Sequence, residues 1–129
     1  MSAANSNYRT WLAKAEHDLL NIENNLHAPD VPWDTVCFHA QQSAEKYLKA
    51  FLVFHGQPPV RTHDLVALLA ACVPLSPPLA TRQQDCQKLS YYAVAARYLS
   101  DLYEPTETDA RQMVEAALRI RTDILACLP

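Results

Sequence analysis

The sequence predicts an all-α fold, an antiparallel up-and-down bundle of four to five helices. Three observations carry this. Apolar residues recur at three- and four-residue intervals along five stretches, the period of a helix that buries one face. One glycine in 129 residues, against a usual share of about 7%, leaves no glycine turns for β-hairpins. Nine prolines gather mostly between the periodic stretches, where they end helices rather than interrupt them. At this length a single domain over 1–129 is expected, large enough to bury a sizeable core.

The first helix is expected over residues 7–26. Tyr8, Trp11, Leu12, Ala15, Leu19, Ile22 and Leu26 form its apolar stripe, and Asp18 lies at the stripe's edge. The break HAPDVPWD contains two prolines and offers Asp34 as an N-cap. A second helix then runs over 34–55, with Cys37, Ala40, Ala44, Tyr47, Leu48 and Phe51 inward and Gly56 as a natural C-terminal stop. Thr62 can cap a short third helix through Leu65, Leu68, Leu69 and Cys72, ended by Pro74. A fourth is expected from near Leu79, carrying Cys86, Leu89, Ala93 and Val94. Its aromatic continuation, SYYAVAARYLSDLYEP, predicts an irregularity or kink. Thr106 or Thr108 caps a last helix to about residue 128, with Ala110, Met113, Val114, Ala117, Ile120 and Ile124 inward.

Composition narrows the function classes. No stretch approaches the roughly 20 apolar residues of a membrane span. The opening MSAANSNYRTW lacks the charged region and apolar run of a signal peptide. Cys37, Cys72, Cys86 and Cys127 are too far apart for a metal clip and sit in apolar contexts, as free thiols of a cytosolic protein do. A net charge of −3 argues against non-specific binding along duplex DNA. Glycine-rich phosphate loops are absent. No HExxH motif, paired-carboxylate motif or histidine pair at i,i+4 occurs, so neither a metal nor a cofactor is expected.

Three places carry chemical potential. His39, Gln42, Lys46 and Lys49 stack along one line of the second helix, with Glu45 able to pair with Lys49 at i,i+4. That side is either a solvated face or, because Phe38 and Val53 share it, a second contact surface. Asp64 suits the first turn of the third helix. His63 beside it is either a structural hydrogen-bonding group or a ligand-facing one able to do acid–base work. Extending the fourth helix's stripe places Arg97 on its inner face. A buried guanidinium there needs a carboxylate, with Asp18, Glu45 and Asp64 the candidates. If the helix has already broken, Arg97 is exposed. Tyr91, Tyr92, Tyr98 and Tyr103 are either core residues with wet hydroxyls or rings that stack on a base.

Taken in order, Trp11 with Ala15 and Asp18-Leu19, the run Phe38-His39-Ala40-Gln41-Gln42-Ser43-Ala44-Glu45-Lys46 with Leu48-Lys49-Ala50, Thr62-His63-Asp64-Leu65, and Tyr92-Ala93-Val94 with Ala96-Arg97-Tyr98 resemble the HEPN family over nearly the whole chain. The name denotes a nucleotide-binding domain of higher eukaryotes and prokaryotes. The resemblance implies a helical bundle that works as a homodimer. It also implies, for many prokaryotic members, a minimal nucleotidyltransferase as partner in a toxin–antitoxin pair. Some members are ribonucleases whose motif is an arginine followed four to six residues later by a histidine. Here Tyr98, Leu99, Ser100, Asp101, Leu102, Tyr103 and Glu104 follow Arg97, with no histidine.

The expected function is therefore a cytoplasmic module that binds a nucleotide, RNA or a protein partner, and is not a nuclease. Lys46, Lys49, Arg97, His63 and Tyr98 would contact a ligand or its phosphate, and Asp18, Glu45 and Asp64 would complete a polar cluster. Two other readings stand beside it. One is a divergent metal-independent ribonuclease toxin using Arg97 and His63. The other is a purely structural dimerisation module.

Overall fold

Five α-helices, and no strand among the described residues, follow in the order α1 (Ala3–Leu26), α2 (Trp33–Phe54), α3 (Leu65–Cys72), α4 (Gln83–Tyr98) and α5 (Glu107–Ala126). The computed structural model describes the backbone of residues 3–58, 60–98 and 104–129, and side chains within 7–58, 60–92 and 104–129. None of these helices is long and apolar enough to cross a membrane.

Named contacts fix the helix directions. Tyr8 meets Phe54 edge-to-face at 5.0 Å between ring centroids, while Asp18 meets Lys46, so α1 and α2 are antiparallel. Arg82 reaches Asp123 and Asp85 reaches Arg119, so α4 and α5 are antiparallel. The Arg111 guanidinium lies over the Trp33 ring and Arg121 bonds Tyr47, so α5 runs the same way as α2. The four long helices therefore alternate up and down, as expected from the sequence. By residue 63 the chain has come back level with Gln41, and the short α3 then starts down alongside α2.

The inward stripes predicted for α1, α2 and α5 enter one core, Trp11 apart, and Cys86 and Leu89 of α4 join it, while Ala93 and Val94 lie outside the described side chains. Helix α2 is the axis of this core. Tyr47, Leu48, Phe51 and Leu52 are fully buried, and so, on other sides of the helix, are Val36, Ser43 and Ala50. A helix buried all round is a central helix, not an amphipathic surface one. The side carrying His39, Gln42, Lys46 and Lys49 is accordingly not a solvated face, although Phe38 at its edge stays exposed. Its charged groups turn onto α1.

Helix boundaries differ from expectation at four points. Helix α1 starts at Ala3, earlier than the stripe indicated. Helix α2 starts at Trp33, capped by Pro32 without a side-chain bond, because the prolines already hold the chain extended there. Asp34 falls in the first turn, where its carboxylate accepts from the Thr35 N–H. Asp64, not Thr62, caps α3, accepting from Val66 N and Ala67 N, while the Thr62 hydroxyl accepts from Asp64 N. The segment near Leu79 forms a 3₁₀ turn, Pro77–Arg82, and α4 begins after it. Helix α4 stays helical through Tyr98; of the rest of the predicted irregular stretch, 99–103 lie outside the described residues, and Glu104 and Pro105 have no regular structure.

Two ends are as expected. Gly56, at φ +76°, follows the α2 cap residue His55. Gly56 N donates to Val53 O and Gln57 N to Leu52 O, the paired bonds of a Schellman motif. Thr106 caps α5 in a reciprocal box with Asp109.

Cys37, Cys72 and Cys86 are buried free thiols, each pushed up to about 12 chiefly by burial. Asp85 is held between Arg82 and Arg119. Burial pushes its carboxyl up, but hydrogen bonds from Arg119 and Arg82 outweigh that and hold it below the usual carboxylate range. A carboxyl lowered by folding stabilises above its unfolded value, about 3.9, and loses that contribution as pH falls through the lowered value. Thermal melts between neutral and acid pH should therefore show a loss below about pH 4 that is smaller in Asp85→Asn. Identical pH profiles for both proteins would remove Asp85 as the cause.

Candidate site along the seam between α1 and α2

Antiparallel packing brings two buried carboxylates into line. Asp18 on α1 is 5% exposed, because its neighbours Ala15 and Ile22 are core residues. Lys46 Nζ donates to its Oδ2 at 2.6 Å, and His39 Nδ1 lies 2.8 Å from its Oδ1. Glu45 on α2 is equally enclosed. Lys49 Nζ donates to its Oε2 at 3.0 Å, His63 Nδ1 lies 2.9 Å from its Oε1, and Gln41 Nε2 lies 3.4 Å from the same oxygen. Carboxylates only accept, so each imidazole presents Nδ1–H to its carboxylate and keeps Nε2 for another partner. Gln41 Nε2 also donates to the His63 carbonyl at 3.2 Å, and Gln42 Nε2 donates to Gln41 Oε1 at 2.8 Å. These bonds tie the segment before α3 onto the middle of α2.

Trp11 completes the seam. The Lys49 and Lys14 ammonium groups lie 5.6 Å and 5.5 Å from its ring centroid, within cation–π range. Lys49 is thus held between a carboxylate and an indole.

Each lysine expected to face phosphate already has a buried carboxylate. Asp18 balances Lys46 and Glu45 balances Lys49, so the two pairs leave no spare positive charge. Exposure separates the groups further. The Lys49 and Lys46 side chains are 10% and 22% exposed, whereas that of His63 is 65% exposed. Of this network, His63 is the group an incoming molecule meets first, backed by Glu45.

The remaining candidates lie elsewhere. Asp64 is the α3 cap and is not joined to Glu45. Asp64→Ala should lower stability by about 1 kcal/mol, the usual value of an N-cap, in urea unfolding; a much larger loss would mean that Asp64 has a second partner. Tyr92 is a core residue whose hydroxyl donates to the Asp34 carbonyl at 2.9 Å, so it is not available to stack on a base. Arg97 and Tyr98 belong to the last turn of α4, and their side chains lie outside the described residues. Among the described residues, no group of His, Cys, Asp and Glu has the makings of a metal site.

Two contributors went unread in the sequence. Gln41 sits four residues before Glu45, a spacing that places both on one face. Ser90 accepts from Leu65 N at 2.9 Å, joining α4 to the start of α3, and no local signal marks it.

No curated protein and no solved structure matches the chain. The sequence model of the HEPN domain matches residues 8–126, taking in all the seam residues. The chain belongs to the HEPN domain family.

Proposed function

We propose that this chain is a binding module without ribonuclease chemistry, the HEPN member of a nucleotidyltransferase–HEPN pair of the toxin–antitoxin type. Family membership supports a nucleotide- or RNA-related module in general. The observation that carries the narrower reading is the neutralised seam. Lys46 and Lys49 are each bonded to a buried carboxylate; the Lys46–Asp18 pair joins α2 to α1, the Lys49–Glu45 pair lies within α2, and together they leave little charge for phosphate. Together with the missing histidine after Arg97, this favours recognition of a protein surface over cleavage. The working form is a cytoplasmic homodimer, one domain per chain. Phe38, 52% exposed beside His39, supplies an apolar contact at the edge of the seam.

The test is coexpression with a minimal nucleotidyltransferase, taken from the neighbouring gene if one is encoded there, followed by size-exclusion chromatography with light scattering. A complex of fixed stoichiometry is expected. Two separate peaks that do not shift on mixing would remove the reading.

One observation favours the ribonuclease alternative. Glu45 fixes the tautomer of His63 and leaves its Nε2 facing solvent, the posture of a carboxylate-supported general base. Cleavage of single-stranded RNA that disappears in both His63→Ala and Arg97→Ala would establish that alternative instead.

A further inference from the structure

The connection from α2 to α3 is held differently from the others. Between α1 and α2, Val31 packs against the core. Between α3 and α4, Leu79 is buried in it, and before α5, Pro105 is buried. Among the described residues of 54–64, none is buried. Val60, Arg61 and His63 are exposed and Thr62 is half-buried. Apolar burial is what usually fastens a connection to its domain, and residues 60–63 have little to offer.

What fastens them is His63. Its carbonyl accepts from Gln41 Nε2 at 3.2 Å, and its Nδ1–H donates to Glu45 Oε1 at 2.9 Å. The other bonds of the segment are local, Thr62 N to Val60 O and Asp64 N to Thr62 Oγ1. Both flanks are fixed independently. Gln57 N donates to Leu52 O at the end of α2. Asp64 caps α3, Leu65 is fully buried, and Leu65 N donates to Ser90 Oγ.

Breaking the two His63 bonds strands nothing. Glu45 keeps Lys49 on Oε2 and Gln41 on Oε1. Gln41 keeps Gln42 on its own oxygen. The His63 carbonyl and ring pass to water, which replaces protein partners at small net cost. An opening that exposes little apolar area and leaves no buried charge unpaired lies at the low end of a protein's range of local openings.

We infer that residues 60–63 form a strap that lifts from α2 while the helices stay folded, with His63 as its catch. Lifting bares a donor, Gln41 Nε2, beside an acceptor, Glu45 Oε1, so the strap controls access to this polar stretch of α2. The opening is a property of the free chain and holds whichever molecule the seam recognises.

The experiment is native-state proteolysis of the full chain by trypsin, followed by mass spectrometry, with rates divided by those on matching unstructured peptides. The described connections hold two cleavable sites, Arg61 in the strap and Arg82 at the end of the 3₁₀ turn, bonded to Asp85 and Asp123. Cleavage tracks the population of the open form, and urea sensitivity scales with the surface an opening exposes. Cutting after Arg61 should therefore change by less than about twofold up to about 1 M urea, while cutting after Arg82 should rise about tenfold per molar with global unfolding. His63→Ala should speed cutting after Arg61 about tenfold, through loss of one hydrogen bond to a charged group, and leave cutting after Arg82 unchanged. In the Glu45→Leu/Lys49→Leu protein, which offers His63 no carboxylate, the same change should have less than about a twofold effect. Cutting after Arg61 that rises with urea in parallel with Arg82 overturns the inference, because the strap then opens only with the whole fold. Cutting of the wild type as fast as the peptide overturns it too, because the strap is then never closed. A rate unaffected by His63→Ala, or raised equally at both sites, removes His63 as the catch.

Discussion

Glu45→Ala should lower the unfolding free energy by about 3 kcal/mol, toward the lower end of the range for breaking a buried ion pair. The carboxylate is 4% exposed and accepts from three side chains on two segments. Its loss leaves the Lys49 ammonium in a largely enclosed position without a counter-charge. It also releases His63 and removes one of the two acceptors of the Gln41 amide. The Trp11 ring, still beneath Lys49, keeps the loss from being larger. Urea unfolding followed by circular dichroism measures it. The double variant Glu45→Leu/Lys49→Leu should be more stable than Glu45→Ala, because it leaves no unpaired charge. If Glu45→Ala loses less than about 1 kcal/mol, the usual worth of an exposed pair, Lys49 reaches water unaided and the pair does not hold the seam.

Phe51→Ala should cost about 3–5 kcal/mol, the usual range for removing a buried aromatic ring. Phe51 is fully buried on the central helix, packed with α1, α3 and α5 residues in one core, and its ring lies 4.6 Å from that of His55. The surroundings belong to several helices and cannot all close on the space at once, so a cavity remains. Against a typical total of about 5–15 kcal/mol, such a loss brings the protein near its folding threshold. The same urea experiment reads it, and Phe51→Leu should recover more than half. A variant as stable as the wild type would contradict the central placement of α2.

The five helices, and the inward stripes of α1, α2, α3 and α5, were legible in the sequence because periodicity is a property of each helix alone. Tyr8, Ala15 and Ile22 on α1, and Cys37 to Phe51 on α2, needed no knowledge of neighbours. What lies beyond a helix's first partner is not encoded locally. The line His39, Gln42, Lys46, Lys49 has the spacing of a solvated face, and only the position of α1 buries it. Asp18 changes from an edge residue to an enclosed one for the same reason. The N-caps of α2 and α3 were misread because an N-cap is chosen by backbone dihedrals. Pro32 sets them before Asp34 is reached, and Thr62 turns its hydroxyl to Asp64. The bond from His63 to Glu45 joins residues 18 apart through a linker whose path no spacing rule supplies.

The buried thiols give the fold a built-in clock. Cys37, Cys72 and Cys86 sit on α2, α3 and α4, fully enclosed, with thiols that stay protonated at any physiological pH. Alkylating reagents attack the thiolate, so the native protein resists them until a helix opens. Rates of iodoacetamide modification at the three positions would then rank how readily each helix detaches from the core. Cys127, partly accessible, serves as the fast reference within the same molecule.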